Sequence, residues 1–152
     1  MRRWIFVIAF ALVLYGNGAA VVETFVNYPS WHLVGTHEFT AYHRFIGPRV
    51  IACLVAPAIT GTVFTLLLLR FRPTGLPAWS VWLAVFLQVV VWVSTATIQV
   101  PMQLQLGASG YSAAVVDRLI VTSWWLRRVP YAACAVLFLW MGARLTNPRP
   151  SG

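Results

Sequence analysis

The sequence predicts an all-α membrane protein in which four transmembrane helices form an up-down bundle. Hydrophobic residues make up 60% of the 152-residue chain and charged residues only 9%, whereas about a quarter of the residues in soluble domains are charged. Apolar stretches of about 20 residues cross about 30 Å of hydrocarbon, and four of them lie at 4–22, 45–69, 78–100 and 122–141. Residues 1–152 are therefore expected to form a single transmembrane domain.

The charge balance supports the same class. The chain contains eleven basic residues and three acidic ones, for a net charge of +8. A chain this basic can indicate nucleic-acid binding. Here the basic residues are arginines in short connections and at the ends of apolar stretches, where cytoplasmic loops and lipid headgroups favour positive charge. The arginine-rich composition therefore predicts the lipid bilayer as a partner and no nucleic acid.

The first apolar stretch has two open interpretations. It follows Arg2 and Arg3 and is long enough to span a membrane, with the arginines holding the N-terminus in the cytoplasm. Its Gly18-Ala19-Ala20 segment also fits the small-residue cleavage site of a signal peptide. We expect a retained helix.

The second and third stretches are predicted to be an antiparallel hairpin, because residues 70–77 combine arginines with helix breakers. Pro57 is expected to kink the second helix and to free a backbone carbonyl. The third helix is expected to end at Pro101.

A turn at 107–110 and an N-cap at Ser112 precede the fourth stretch. Arg144 and Arg149 follow it, which predicts that both termini are cytoplasmic. Seven of the eight tryptophans are expected at membrane interfaces, as an aromatic belt requires. The outer segment 27–44 is expected to fold over the bundle mouth, anchored at the interface by Tyr28, Trp31, Phe39 and Tyr42.

The three histidines do not predict a metal or haem site. At 100° per residue of helix, His37 lies about 140° from His32, and His43 lies about 240° from His37. His32 and His43 share a face, but eleven residues at 1.5 Å each separate them by about 16 Å. We therefore predict no metal site, and the sequence leaves any cofactor open.

The third stretch carries a polar and aromatic stripe, formed by Gln88, Trp92, Thr95 and Gln99 at steps of four, three and four residues. Lipid offers glutamine amides no hydrogen-bond partner, so this face is expected to point into the bundle. Two interpretations stay open: the amides bridge helices and stabilise packing, or they line a polar pocket that opens outward.

The fourth stretch carries Arg127 and Arg128 within its first two turns. Ionisable residues inside membranes are rare, face the interior and raise a functional hypothesis. Adjacent arginines point about 100° apart on a helix, so Arg127 is expected to face inward and to be tied to Glu23 or to the glutamine face. Arg128 is expected to reach toward lipid headgroups.

The candidate site residues follow from these patterns. His43 is a candidate proton carrier, Arg127 an anchor for an anionic or carbonyl oxygen, and Glu23 its counter-charge. The candidate ligand-binding residues are Arg44, Gln88, Trp92, Gln99 and Asp117.

The run Glu23-Thr24-Phe25-Val26-Asn27-Tyr28-Pro29-Ser30-Trp31-His32, together with Phe39, Tyr42-His43, Gln99-Val100-Pro101 and Trp125-Leu126-Arg127, resembles a family of small bacterial four-helix membrane proteins of unknown function. The resemblance covers nearly the whole chain and implies a multi-pass protein of the bacterial cytoplasmic (inner) membrane. In size and layout the chain is also similar to the anthrone-oxygenase-like membrane proteins, which are associated with oxidation of polycyclic aromatic substrates.

The sequence favours two functions over transport or channel activity, which no pair of helix breaks in corresponding halves supports. The first is an accessory or scaffold subunit that assembles with partner membrane subunits or with further copies of itself. The alternative is a membrane-embedded enzyme or binding protein for a lipophilic molecule, quinone-like or aromatic, at the outer leaflet. Whether the chain is an enzyme stays open.

Overall fold

Four long helices make up the structure, a computed structural model that describes residues 1–146. They are α1 (Arg2–Leu33), α2 (Phe39–Phe71), α3 (Ala78–Ser109) and α4 (Ala113–Thr146). Residues 1–146 contain no strand, and each helix is long and apolar enough to cross a membrane. The predicted all-α four-helix bundle is therefore confirmed. The predicted cytoplasmic position of Arg149 lies outside the described residues.

The helices are longer than the apolar stretches predict. They contain 32 to 34 residues, which corresponds to about 48–51 Å at 1.5 Å per residue. Hydrocarbon is only about 30 Å thick, so each helix extends well beyond the hydrocarbon core of a bilayer. We call the end that holds Arg2, Thr146 and the 72–77 turn proximal, and the end that holds the 34–38 and 110–112 turns distal.

This length overturns two predictions. α3 continues through Pro101 to Ser109, so Pro101 does not end it and residues 107–109 are helical rather than a turn. The outer segment 27–44 does not fold over the bundle mouth, because α1 runs on to Leu33 and α2 begins at Phe39. It is the tip of a helical hairpin. Ser112 precedes α4 as predicted, but its side chain makes no capping hydrogen bond.

A π-helical bulge of five residues interrupts each helix, and each bulge begins six residues before a proline. Proline lacks an N–H, and its ring clashes with the carbonyl four residues earlier. A π turn, closed by a bond across five residues, relieves that clash without ending the helix. The bulges are Glu23–Asn27 before Pro29, Ile51–Val55 before Pro57, Thr95–Gln99 before Pro101 and Trp124–Arg128 before Pro130.

Two of the carbonyls that lose their helical partner are bonded from a neighbouring helix. The oxygen of Cys53, four residues before Pro57, accepts a hydrogen bond from the Tyr15 hydroxyl at 2.8 Å. The oxygen of Leu126, four residues before Pro130, accepts one from Ser94 Oγ at 3.1 Å. The carbonyl predicted to be freed by Pro57 therefore joins α2 to α1.

Cross-helix bonds place the bulges of α2, α3 and α4 near one level, because Tyr15 and Asn17 of α1 bond Cys53 and Arg128, and Ser94 bonds Leu126. The bulge of α1 begins six residues after Asn17, about 9 Å further toward the distal turns. Two separate cores lie on either side of this level. The proximal core consists of Ile5, Phe6, Ala9, Val13, Leu68, Leu76, Val81, Ala84, Cys134, Leu137, Phe138 and Met141. The distal core consists of Tyr28, Trp31, Phe39, Met102, Leu106, Val116 and Leu119.

The exposed tryptophans indicate where a bilayer fits this bundle. Trp4 and Trp79 are exposed near the proximal end, and Trp125 is exposed within the bulge of α4. The bulges of α1 and α3 begin 19 and 16 residues after Trp4 and Trp79, which is about 24–29 Å along a helix. That distance is close to the thickness of hydrocarbon, which fits a bilayer whose distal boundary lies near the bulges.

Trp31 lies on the distal side of the bulge of α1. It was expected at a membrane interface, but it is buried in the distal core with Tyr28 and Phe39. The rings of Tyr28 and Phe39 meet it edge-on at 5.1 and 5.7 Å between centroids. These aromatic residues hold the distal halves of the helices together rather than anchoring them in lipid.

Candidate functional site

Buried polar side chains concentrate between the two cores, at the level of the bulges. Buried polar groups need hydrogen-bond partners, because burial without them costs free energy. This cluster, which we call the polar layer, consists of Glu23, Thr24, Ser94, Gln99, Ser123 and Arg127.

Arg127 is the buried cation of the polar layer. Its side chain is 8% exposed, so the predicted inward orientation is confirmed. Its Nη1 donates a hydrogen bond to the Tyr28 hydroxyl at 2.9 Å. Neither predicted partner, Glu23 or the glutamine face, contacts it directly: within residues 1–146 the only acid–base contact of 4.0 Å or less joins His32 to Asp117, and no hydrogen bond joins Arg127 to Gln88 or Gln99. The arginine instead bonds the Tyr28 phenol of α1.

Arg128 also differs from the prediction. It was expected to reach toward headgroups, but it is half-buried and its Nη1 donates to Asn17 Oδ1 at 2.9 Å. Asn17 lies on α1, so the two adjacent arginines both attach α4 to α1. Asn17 supplies a hydrogen-bond acceptor inside the bundle, so the Arg128 side chain does not extend toward lipid headgroups.

A chain of side chains leads from Arg127 toward the distal surface. Gln103 Nε2 lies 3.5 Å from the Tyr28 hydroxyl that binds Arg127. Gln103 Oε1 lies 2.8 Å from His43 Nε2. The predicted candidate His43 is thus connected to Arg127 through Gln103 and Tyr28, two residues that the sequence reasoning did not select. Gln103 had a signal, since it lies four residues after Gln99 on the same stripe.

Glu23 belongs to a second network. It is buried, and its Oε2 accepts a hydrogen bond from Asn27 Nδ2 at 2.8 Å. Asn27 Oδ1 in turn accepts from Trp31 Nε1 at 3.2 Å and from the Tyr42 hydroxyl at 3.5 Å. Asn27, a residue missed at the sequence level, therefore joins the carboxylate to the distal core and to α2.

The stripe on α3 divides into two parts. Gln88 Nε2 donates to Thr65 Oγ1 at 2.9 Å, and Trp92 Nε1 donates to Thr62 Oγ1 at 2.9 Å. Both bonds cross to α2, which favours the packing interpretation for these two residues. Gln99 differs, because neither atom of its buried amide has a hydrogen-bond partner within residues 1–146.

Arg44 and Asp117 are exposed and are not part of the polar layer. Asp117 Oδ1 lies 3.1 Å from His32 Nε2, and His32 Nδ1 lies 2.8 Å from the Tyr111 hydroxyl. This surface contact joins the end of α1 to α4 at the distal tip. His37 is exposed in the distal turn. The structure therefore holds Glu23, Gln99 and Arg127 in the polar layer, places His43 against Trp31 and Phe39 of the distal core, and leaves Arg44 and Asp117 outside both.

A groove of about 840 Å³ lies between α1 and α2. Its proximal end is bridged by the bond from Tyr15 to Cys53, and its distal end by the contact of Tyr42 with Asn27. On the proximal side of the groove α1 and α2 pack closely: a Cβ on Gly61 would lie 3.1 Å from Leu12 Cβ. The lining residues are Tyr15, Gly18, Ala19, Val22, Glu23, Val26, Asn27, Ser30, Tyr42, Ile46, Arg49, Val50, Cys53 and Leu54.

The part of the chain that the structure describes contains no cluster of three or more His, Cys, Asp or Glu side chains that could hold a metal ion. Comparisons of the chain with protein-family models, with curated proteins and with solved structures found no match. The resemblances to small bacterial four-helix membrane proteins and to the anthrone-oxygenase-like proteins therefore stay predictions.

Proposed function

We propose that this protein is a membrane-embedded binding protein for a lipophilic small molecule with a polar head, quinone-like or aromatic. The observation that carries the proposal is the groove between α1 and α2. Ligand pockets in proteins have volumes of about 300–1,000 Å³ and combine apolar walls with few polar groups. The groove, at about 840 Å³, has that size and that composition.

The groove is amphipathic along its length. Its proximal part is lined by small and apolar side chains such as Gly18, Ala19 and Val22, and its distal part by Glu23 and Asn27. Glu23 and Asn27 belong to a bulge, at the boundary of the apolar belt. A molecule that enters sideways from the bilayer would therefore place its apolar part beside α1 and its polar head at the bulge.

The polar end favours a head that both donates and accepts hydrogen bonds. The Glu23 carboxylate accepts, the Asn27 amide does both, and the Ser30 and Tyr42 hydroxyls do both. A quinol hydroxyl or a phenol matches these groups. A phospholipid headgroup would bring a phosphate next to Glu23, which like-charge repulsion disfavours. Arg49, the basic residue of the lining, bonds the Phe45 carbonyl and lies over the Phe45 ring.

The arginines support a cytoplasmic position for the proximal end. Arg127 and Arg128 are bonded inside the bundle, so they do not count among the loop residues that set orientation. The proximal arginines are Arg2, Arg3, Arg70, Arg72 and Arg144, and the distal ones are Arg44, Arg49 and Arg118. We propose a multi-pass protein of the bacterial cytoplasmic membrane with the groove in the outer leaflet.

Filling the groove with a side chain tests the proposal. An added Cβ on Gly18 would meet no atom within 4 Å, so Gly18→Phe fits the fold and occupies the groove. Ala11→Phe is the matched control, because Ala11 is exposed one heptad earlier on the same helix and does not line the groove. The probe is a decyl-chain benzoquinone, added to the detergent-purified protein during thermal unfolding.

We expect the quinone to raise the melting temperature of the wild type and of Ala11→Phe in a saturable way, and to leave Gly18→Phe unchanged. A ligand at 100 times its Kd stabilises by about 2.7 kcal/mol. Without quinone, Gly18→Phe should be no less stable than the wild type, because glycine is a poor helix former. An equal quinone effect in all three proteins, or native mass spectrometry that shows phospholipid in the groove, would refute the proposal.

One observation favours an accessory subunit as a second candidate function. The most apolar window of α2 is 11% buried, against 28–33% for the other three helices. Such a surface is available to partner membrane subunits or to a second copy of the chain. Extraction in a mild detergent tests this: a stoichiometric partner or a dimer that is lost on adding a charge at Val63, an exposed residue of α2, would establish the subunit function.

A further inference from the structure

Three residues of the polar layer carry polar atoms that lack a partner within residues 1–146. These atoms are both amide atoms of Gln99, Oγ of Ser123 and Nε of Arg127. All three residues are at least nine-tenths buried. Buried polar groups are paired in most proteins, so a cluster of unpaired donors and acceptors indicates a site built for another molecule.

The register of α3 and α4 brings these atoms to one level. The bond from Ser94 to Leu126 fixes the antiparallel pairing. Gln99 lies about 7.5 Å and Ser123 about 4.5 Å distal of that bond. Helical side chains lean toward the N-terminus of their helix, so Arg127 on α4 leans distally and Gln99 on α3 leans proximally. The three buried residues therefore lie at neighbouring levels in the interior of the bundle.

The charge of this cluster is positive. Arg127 has one hydrogen bond from Nη1, and its acceptor is the neutral phenol of Tyr28. The nearby carboxylate of Glu23 is bonded to Asn27 and forms no ion pair with Arg127 among residues 1–146. Glu23 attracts Arg127 at longer range, but it makes no direct contact with the guanidinium. Nε of Arg127 therefore remains available to donate a hydrogen bond to an anionic ligand.

We propose that Arg127, Gln99 and Ser123 bind a small planar oxyanion of the carboxylate type. A guanidinium binds a planar carboxylate with two parallel hydrogen bonds, while the Gln99 amide and the Ser123 hydroxyl donate to the remaining lone pairs. The hydrogen-bonded chain of Tyr28, Gln103 and His43 connects this oxyanion site to the distal surface. The oxyanion site is separate from the groove, whose lining does not include these three residues.

Formate is the probe for the oxyanion site. The melting temperature of the detergent-purified protein is measured while sodium formate replaces sodium chloride at constant ionic strength. We expect a saturable rise for the wild type and at least tenfold weaker apparent binding for Arg127→Gln. Arg118→Gln is the matched control, because it removes the same charge from an exposed residue of α4, and it should respond like the wild type.

Gln99→Leu keeps the test decisive if Arg127→Gln does not fold. The Gln99 amide has no hydrogen bond to lose within the described residues, so Gln99→Leu should melt at or above the wild-type temperature in chloride and respond at least tenfold more weakly to formate. Gly18→Phe should keep the full formate response, which distinguishes a free anion from the head of a molecule in the groove. A formate response that is absent from the wild type, or unchanged in Gln99→Leu, would overturn the proposal.

Discussion

The two cores of this bundle are equally buried but differ in chemistry. The proximal core is mostly aliphatic, with Phe6 stacked on Phe138 at 5.9 Å between centroids. The distal core is built around Trp31, whose ring meets Tyr28, Phe39 and His43 edge-on and whose Nε1 bonds Asn27. Lipid is as apolar as the residues of the proximal core, so packing and the hydrogen bonds of Gln88 and Trp92 to α2 join the helices there. With the membrane boundary that we propose at the bulges, water surrounds the distal half and adds a hydrophobic driving force.

The largest expected effect contrasts the two cores directly. Trp31→Ala should cost about 3–5 kcal/mol, because it removes a large buried aromatic ring from a water-facing core. Phe138→Ala should lower the free energy of unfolding by less, because the proximal core faces lipid. The substitution there loses packing contacts but no favourable transfer of apolar surface out of water. Thermal unfolding in detergent measures both, and hydrogen exchange should show that Trp31→Ala loosens the distal half alone. Equal costs would mean that the two halves share one environment.

The polar layer between the cores predicts the next effect. Tyr28→Phe removes the oxygen that accepts from Arg127 and lies beside Gln103, and a buried hydrogen bond to a charged group contributes about 1.5–3 kcal/mol. Tyr42→Phe is the control, because the Tyr42 hydroxyl makes only a 3.5 Å contact with Asn27. The melting temperature should fall clearly for Tyr28→Phe and hardly for Tyr42→Phe. The reverse order would contradict the assignment of Tyr28 as the partner of Arg127.

A smaller effect tests the bulges that separate the cores. Tyr15→Phe leaves the Cys53 carbonyl without its bond and should cost about 0.5–1.5 kcal/mol. In a Pro57→Ala background residue 57 regains an N–H, which can bond Cys53 as in a regular helix. Tyr15→Phe should then cost less, and a double-mutant cycle on melting free energies measures the difference. Additive losses would show that the proline does not cause the bulge.

The smallest expected effect lies at the distal tip. Asp117 and His32 are substantially exposed, and exposed ion pairs contribute about 0–1 kcal/mol. Asp117→Asn should therefore change the melting temperature by less than any substitution above. A loss as large as that of Tyr28→Phe would mean that this contact, rather than the aromatic core, holds the distal hairpins together.

The sequence predicts the four helices and the inward side of α4, because both depend on hydropathy and on the cost of charge in lipid. The inward orientation of Arg127 is predictable for that reason. Its partner is not, because Tyr28 lies in a stretch whose polar residues resemble a loop. Gln99 is buried as the stripe predicts, but whether its amide bridges helices depends on neighbours that periodicity does not reveal.

The helix lengths were underestimated for a specific physical reason. Pro101 was interpreted as a helix end, because proline usually breaks the hydrogen-bond ladder. A π turn before Pro101 accommodates the missing N–H without ending the helix, and a π turn also precedes Pro29, Pro57 and Pro130. Each of the four helices contains such a proline, so a repeated proline in otherwise helical sequence was the available signal.

The claim that the bulges mark the distal boundary of the membrane is tested most directly by thiol accessibility on α3. Leu104 and Val93 are both exposed on the bundle, but Leu104 lies distal of the bulge and Val93 proximal to it. Single cysteines at these positions, in a Cys53→Ser, Cys134→Ala background, are treated with an impermeant maleimide in intact cells. We expect rapid labelling at 104 and none at 93. Protection of both positions would place the distal half inside the membrane and contradict the two-core interpretation.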